Sequence, residues 1–222
     1  MTSLKKILSY IFDFPVEKRP SKFSGEVALS LSQGQYKLST KNAIYSFGKN
    51  YTSFGIAFKK IDIQNQKIEN VLVLGFGLGS VVDLLENHST IKNITAVDAD
   101  EVIIELAKKY LQSNFRNKVE YICEDAEKYI ATATQKFDLV LFDVFIEDET
   151  PMQFMQADYL AELKKLIATN GILLFSKIDD SHKNRIENAQ FEKKFSAVFQ
   201  DSFSIDANGN KLFAWFNSST SS

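Results

Sequence analysis

The stretch Val71-Leu72-Val73-Leu74-Gly75-Phe76-Gly77-Leu78-Gly79-Ser80 constrains the chain more than any other. Four consecutive apolar residues describe a strand with no solvent face, the pattern of a strand inside a parallel sheet covered on both sides. Three glycines at alternate positions then let the backbone turn sharply. They leave bare amides at the start of a helix, read over Ser80 to His88, where a ligand can lie close to the main chain. A glycine pattern alone is a weak signal. Placed between a strand and a helix it has the context that a nucleotide-type site requires.

The rhythm continues downstream. Ile94 to Val97, Val119 to Cys123, Phe137 to Phe145 and Ile172 to Ser176 read as further strands. Helical spacing separates them over Glu101 to Leu111, Ala126 to Thr132 and Pro151 to Ala168, the last ended by Asn170-Gly171. Strands alternating with helices predict a Rossmann-like α/β fold, a mostly parallel sheet with helices on both faces. A helix over Asn184 to Phe199 follows. Two apolar runs around Asn208-Gly209-Asn210 then predict a C-terminal antiparallel hairpin. Upstream, Glu26 to Leu31, Gln35 to Ser39 and Ala43 to Phe47 alternate in period two, with Ser32-Gln33-Gly34 and Thr40-Lys41-Asn42 as turns. These predict a small β-meander. The expected division is an N-terminal segment over residues 1–60, a ligand-binding domain over 61–217, and a disordered tail over 218–222.

Composition closes off several function classes. Twenty-six basic and 28 acidic residues give a net charge of −2, which excludes a general basic footprint for nucleic acid. One cysteine, Cys123, excludes an intramolecular disulfide framework and a multi-cysteine zinc site, and two histidines leave no histidine-rich metal site. No metal is expected. Nineteen phenylalanines are read as core. No secretory leader is visible, and no run approaches the ~20 apolar residues of a membrane span. The expectation is a cytoplasmic protein with a small-molecule partner, neither nucleic acid nor membrane, and an exposed meander edge that suits a homodimer.

In an open parallel sheet ligands bind beyond the carboxyl ends of the strands, so the residues after each strand carry the chemistry. Asp98 follows the second strand, about 20 residues past the glycines, where an acid can accept both hydroxyls of a ribose. Asp100 fits better as a helix cap. Asp125-Ala126 follows the third strand, where a carboxylate can accept from an exocyclic amine, although an N-cap explains it equally well. Asp143 sits within the apolar fourth strand and needs a partner or a place facing the crevice. The acidic run Glu147-Asp148-Glu149 reads as a solvated loop, with a negative rim able to attract a cationic substrate as the alternative.

Taken together, the glycine loop, Asp98, Glu124-Asp125-Ala126 and Phe137-Asp138-Leu139-Val140-Leu141-Phe142-Asp143 resemble the class I S-adenosylmethionine-dependent methyltransferase fold. More narrowly they resemble its spermidine synthase-like branch, which also has a small N-terminal β-domain. The resemblance implies that Gly75, Phe76, Gly77 and Gly79 approach the amino-acid or aminopropyl part of the ligand. It implies that Asp98 holds the ribose, that Asp125 and Ala126 hold the adenine, and that Asp143 assists the amine nucleophile. Three positions depart from that branch. Leu78 stands where the synthases carry an Asp. Val144 to Pro151 replaces a Ser- and Asp-rich stretch. Tyr51-Thr52-Ser53 replaces a Tyr-His-Glu cluster, keeping only the tyrosine as a substrate contact.

Because of these departures, the leading expectation is methyl transfer from S-adenosylmethionine to a small molecule. Aminopropyl transfer from decarboxylated S-adenosylmethionine is the alternative. Two others stay open: a nicotinamide dehydrogenase, and a non-catalytic binding or dimer module. Of Tyr36, Tyr45 and Tyr51, all able to cover a pocket, at least two are expected only to pack.

Overall fold

The computed structural model describes residues 3–41, 43–146 and 149–218. A short helix α1 (Ser3–Leu8) leads into four antiparallel strands, β1 (Phe14–Ser21), β2 (Gly25–Ser32), β3 (Gln35–Ser39) and β4 (Ile44–Ser46), paired in that order. The sequence reading finds β2 to β4 and misses β1. Pro15 and Pro20 interrupt its pattern, and proline is tolerated in a strand only at an edge, which is where β1 lies. The same prolines deprive that edge of two N–H donors, so it is a poor template for pairing with a second copy.

The larger sheet has seven strands: β5 (Asn70–Leu74), β6 (Asn93–Asp98), β7 (Val119–Cys123), β8 (Phe137–Phe142), β9 (Ile167–Ile178), β10 (Phe203–Ala207) and β11 (Asn210–Phe216). Their order across the sheet is β10-β11-β9-β8-β5-β6-β7. Only β11 runs against the others, inserted between β10 and β9. Helices α2 (Thr52–Lys60), α3 (Ser80–Leu84) and α4 (Glu101–Tyr110) lie on one face; α5 (Ala126–Thr132), α6 (Ala157–Lys165) and α7 (His182–Val198) lie on the other.

The unbroken apolar runs are explained by these two faces. Val71 and Val73 point into one core with Phe54, Ile94 and Leu139. Leu72 and Leu74 point into the other with Val140, Phe142 and Phe175. Eight of the 19 phenylalanines lie in the second core, where Phe142 and Phe175 stack at 4.0 Å between ring centroids. The phenylalanine content there is packing.

Four elements differ from the sequence reading by more than two residues at an end. Helix α3 stops at Leu84, and β8 stops at Phe142. The long helix before the fifth strand is a 3-10 turn (Met152–Met155) followed by α6. Asn170-Gly171 does not end a helix but forms a bulge inside β9, where pairing with β8 skips from Phe137↔Ile167 to Leu139↔Ile172. A Cβ on Gly171 would come within 2.8 Å of the Ala168 carbonyl oxygen and 3.0 Å of that of Phe137, so the bulge needs glycine. The sequence reading also misses α2. Its Phe54, Ala57 and Phe58 belong to the core of the large sheet, so we place the division between the two units near Tyr51 rather than after residue 60. Most of the expected disordered tail, residues 219–222, lies outside the described residues. Among the described residues no helix is long and apolar enough to cross a membrane, and no cluster of three metal-ligating side chains is found.

Candidate active site

A cavity of about 380 Å³ opens beyond the carboxyl ends of β5, β6, β7, β8 and β9. The sheet order puts Gly75 and Gly77, after β5, at its centre. Asp98 and Asp125 lie on the β6–β7 side and Asp143 on the β8–β9 side. The meander closes the front with Phe23, Ser24 and Tyr45.

Backbone contact dictates the glycine loop. Gly75 has φ +80°, and a Cβ there would stand 2.3 Å from the carbonyl oxygen of Asp143. Only glycine lets the chain leaving β8 pass this close to the chain leaving β5. The pairing is fixed by the Asp143 N–H, which donates to the Leu74 carbonyl at 2.8 Å. Ser80 secures the meander over the loop: its hydroxyl accepts from the Phe47 N–H at 2.9 Å and lies 2.5 Å from the Ser46 hydroxyl.

Asp98 is tied to the loop as well as facing the cavity. Its Oδ2 accepts from the Gly77 N–H at 3.2 Å and its Oδ1 from the Asp100 N–H at 3.1 Å. Burial pushes its carboxyl up to about 6, and these N–H donors hold it from rising further. Asp100 is the structural acid of the pair. It caps α4 through the Val102 N–H and accepts a hydrogen bond from the Ser21 hydroxyl, which fastens β1 to that helix.

Asp125 lines the cavity and also caps α5, its Oδ1 accepting from the Glu127 N–H at 2.8 Å. The N-cap is therefore made while the residue also faces the cavity, with Ala126 and Glu124 beside it in the wall. Asp143 receives a 2.8 Å hydrogen bond from the Tyr51 hydroxyl on Oδ2, while its buried Oδ1 has no hydrogen-bond partner among the described residues. Burial raises the Asp143 carboxyl to about 7, and the Tyr51 and then the Ser176 hydroxyl only partly oppose that. Burial, and then the neighbouring Asp143, raise the Tyr51 phenol well above its ordinary value, so it stays protonated and donates.

Two glycine-loop residues expected near the ligand lie behind the cavity wall. The Phe76 ring is buried against Tyr121, and Gly79 backs onto Leu111 and the Phe76 ring; neither lines the cavity. They shape the loop from behind. Leu78 is turned the same way, 5% exposed, into the contact between the meander and α4 with Val27, Leu29 and Ile103. Of the three tyrosines Tyr36 lies off the cavity, edge-on to Tyr110; Tyr45 and Tyr51 both line it. Of the acidic run, Glu147 and Asp148 lie outside the described residues. Glu149 is exposed and paired with Lys183 at 2.9 Å, away from the cavity wall.

The sequence reading misses Asp180, Asn208 and Asn210, which close the β9 side. Asp180 was within reach of the rule already applied, since it follows the fifth strand two residues after Ile178. Asn208 reaches the wall because the β10–β11 turn folds over it, with its amide donating to the Thr52 hydroxyl at 3.1 Å.

Among the described residues the cavity wall carries six carboxylates, Asp98, Asp100, Glu124, Asp125, Asp143 and Asp180, and no Lys, Arg or His. This fold, with its cavity-facing acids beyond the carboxyl ends of the strands, is that of a class I S-adenosylmethionine-dependent methyltransferase-fold protein. The family model of the spermine/spermidine synthase domain matches residues 55–206, and the chain belongs to that family. A polyamine aminopropyltransferase of Sulfurisphaera tokodaii is 37% identical over 105 residues, 44% of this chain and 35% of that protein. The chain is matched over 46% and 57% of the length of two further curated relatives of the same name, so it spans about half or less of most of these proteins. In fold it resembles a probable spermidine synthase from Corynebacterium glutamicum, with TM-score 0.73 at 16% identity over 91% of this chain and 79% of the other. Human methyltransferase-like protein 13 is a more distant neighbour, with TM-score 0.55 at 18% identity over 68% and 72% of the two chains. The comparisons thus favour the aminopropyl alternative over methyl transfer, to which they lend support only at the level of the superfamily.

Proposed function

We propose that this protein transfers an aminopropyl group from decarboxylated S-adenosylmethionine to a small di- or polyamine. The observation that carries this reading is the charge of the cavity: six acids and no cation in its described wall. S-adenosylmethionine brings a carboxylate that would meet no positive partner there, at a cost in desolvation. The decarboxylated donor carries an ammonium and a sulfonium, and the acceptor carries further ammonium groups. Each of these suits the wall.

In the reaction an acceptor amine gives up a proton and its nitrogen attacks the methylene carbon beside the sulfonium. A C–N bond forms, the C–S bond breaks, and the electron pair stays on sulfur as a neutral thioether. Asp143 would take the amine proton on Oδ1, which has no hydrogen-bond partner among the described residues, and a carboxyl near 7 suits a base working close to neutrality. Tyr51 holds the other oxygen. Asp98 and Asp125 would hold the ribose and the adenine against the glycine loop, with Gly75, Gly77 and Ala126 giving the space. Because the sulfonium is already activated, alignment and exclusion of water supply most of the remaining acceleration.

The same reading puts the enzyme in the cytoplasm, in keeping with one free, exposed Cys123. Pro15 and Pro20 make the β1 edge of the meander a poor place for a homodimer to pair.

Calorimetric titration with the two donors tests the proposal. At least a tenfold preference for the decarboxylated form is expected. Equal affinity, or a preference for the carboxylated form, would remove it and restore methyl transfer.

A further inference from the structure

The N-terminal segment carries a feature the cavity does not use. Leu4, Ile7, Leu8, Ile11 and Phe12 recur at helical spacing and are all exposed, Ile11 and Phe12 by 71% and 66%. Lys5 and Lys6 flank them. This is not a loosely attached end. The Ser9 hydroxyl accepts from the Gly34 N–H at 2.8 Å and donates to the Lys6 carbonyl at 2.7 Å, and the Ser9 carbonyl accepts from the Gln33 N–H at 2.8 Å. Tyr10 lies across the same turn, close enough that a Cβ on Gly34 would come within 2.9 Å of its hydroxyl oxygen. The segment is therefore fastened to the β2–β3 turn with its apolar side chains facing outward. A helix of six residues is marginal in water by itself and gains its stability from a surface it packs on. Here the chain offers almost none.

Charge indicates the partner. Residues 1–50, up to the division near Tyr51, hold eight basic and three acidic side chains, net +5, against −7 for the remainder of a chain whose total is −2. All three acids are already matched: Asp13 with Lys37, Glu17 with Lys109 and Arg19, and Glu26 with Lys18. Lys5 and Lys6 have no anionic partner among the described residues. We infer that Leu4, Ile7, Leu8, Ile11 and Phe12, flanked by Lys5 and Lys6, form a peripheral docking surface for an anionic lipid bilayer. Apolar side chains enter the headgroup boundary while lysines reach anionic headgroups along their flexible stems. A second copy fits less well, because isologous pairing would bring the lysines of both copies together and the neighbouring β1 edge lacks two donors. The patch sits at the Phe14 end of β1, whereas the cavity wall includes Phe23 and Ser24 just past its other end. Eight strand residues separate the two by roughly 23 Å, so docking leaves the cavity mouth free. The inference does not depend on the reaction proposed above, and it revises the expectation of no membrane contact without invoking a span.

Flotation of the whole protein with vesicles tests it. Phosphatidylcholine vesicles containing about 30% phosphatidylglycerol are compared with phosphatidylcholine alone, because the lysine contribution scales with anionic lipid. The protein is expected to float with the anionic vesicles, at least fivefold more than with the neutral ones, and to be released by high salt. Ile11→Glu with Phe12→Glu should abolish flotation, and Lys5→Glu with Lys6→Glu should remove its dependence on anionic lipid. All four positions are solvent-facing, so circular dichroism should match the parent, and either pair suffices if the other misfolds. Absence of flotation, or flotation unaltered by both pairs, overturns the inference. So does a dimer by light scattering that Ile11→Glu converts to monomer, since a second copy would then cover the patch.

Discussion

The Tyr51 hydroxyl donates to Asp143 Oδ2 at 2.8 Å across 92 residues of sequence, joining the start of α2 to the end of β8. This one bond ties the end of the N-terminal segment to the β8 end of the cavity and leaves the other Asp143 oxygen without a hydrogen bond among the described residues. The Tyr51 phenol, and after it the Ser176 hydroxyl, hold that carboxyl down, so Tyr51→Phe should remove the larger of the two and let it rise further above about 7. The acidic limb of the pH–rate profile should move to higher pH, and kcat at neutral pH should fall about tenfold, within the range of general-base effects. A profile that superimposes on the wild type would take Tyr51 out of the mechanism.

Asp143→Asn should lower turnover by about 10²–10³-fold while leaving donor affinity within a factor of a few. Stability supplies a second, independent readout. The folded carboxyl sits near 7 against an ordinary 3.8, so the native state binds the proton more tightly than the unfolded chain. Below about pH 4 both states are protonated and nothing is lost. Between about 4 and 7 the unfolded chain releases its proton while the native state keeps it, so stability declines as pH rises, and above about 7 the loss is complete. It amounts to a few kcal/mol at most. Asp98, near 6, and Asp83, near 7, act in the same direction, so the test is the difference between variant and wild type. Urea unfolding at pH 5 and pH 8 should show Asp143→Asn gaining relative stability at pH 8. Parallel behaviour of the two proteins would mean the carboxyl is not raised.

Much of this architecture was legible from period and punctuation. Val119–Cys123 and Ala126–Thr132 have the bounds read from the sequence, because apolar alternation and the Asp125 cap mark both ends. The strands flanking the glycine loop were equally plain. What escaped was decided by tertiary contact. β1 is acceptable only because it is an edge, and Asn170-Gly171 looks like a helix stop until β8 is placed beside it. Helix α2 is recognisable from Phe54, Ala57 and Phe58 once a sheet exists for them to cover. In the site, residues that follow strands were readable. Tyr45 and Asn208 arrive from other elements by folding, and no local pattern marks them.

Gly75 and Gly25 separate steric demand from backbone conformation. Both have positive φ, +80° and +68°. At Gly25 nothing lies within 4 Å of an added Cβ, so Gly25→Ala should cost only the left-handed conformation, about 1–2 kcal/mol. At Gly75 the Cβ meets main-chain atoms of Asp143 and Val144 within 2.9 Å, and neither can move without parting β5 from β8. Gly75→Ala should cost more than about 4 kcal/mol or prevent folding, since overpacking adds to the backbone term. Thermal melts of the two variants decide it; similar shifts would show that the crossing of the two chains is looser than described.

Asp98→Ala should weaken binding of the adenosyl donor by about 1.5–3 kcal/mol, the range for hydrogen bonds to a charged group. Part of that loss comes through the loop, because the same carboxylate accepts from the Gly77 and Asp100 N–H groups. Asp98→Asn keeps the size and an acceptor oxygen but cannot accept on both arms. It should fall between Ala and wild type in a calorimetric titration. Unchanged affinity in both variants would move the ribose elsewhere in the cavity.

Leu78 decides whether the missing acid of the glycine loop can simply be restored. Its side chain is buried in the contact of β2, β3 and α4, among Val27, Leu29, Leu38, Ile103 and Leu106, and does not line the cavity. Leu78→Asp would therefore put a carboxylate among aliphatic side chains, where an unpaired charge is strongly unfavourable. The expected outcome is a loss of several kcal/mol in stability with no gain in donor affinity. The meander should loosen from α4 first, seen as faster amide exchange in β2 and β3. A Leu78→Asp protein that keeps its melting temperature and binds the decarboxylated donor more tightly would show that this position turns toward the cavity when the ligand is bound. The aminopropyl end of the donor would then have a partner that the side chain of Leu78 does not supply.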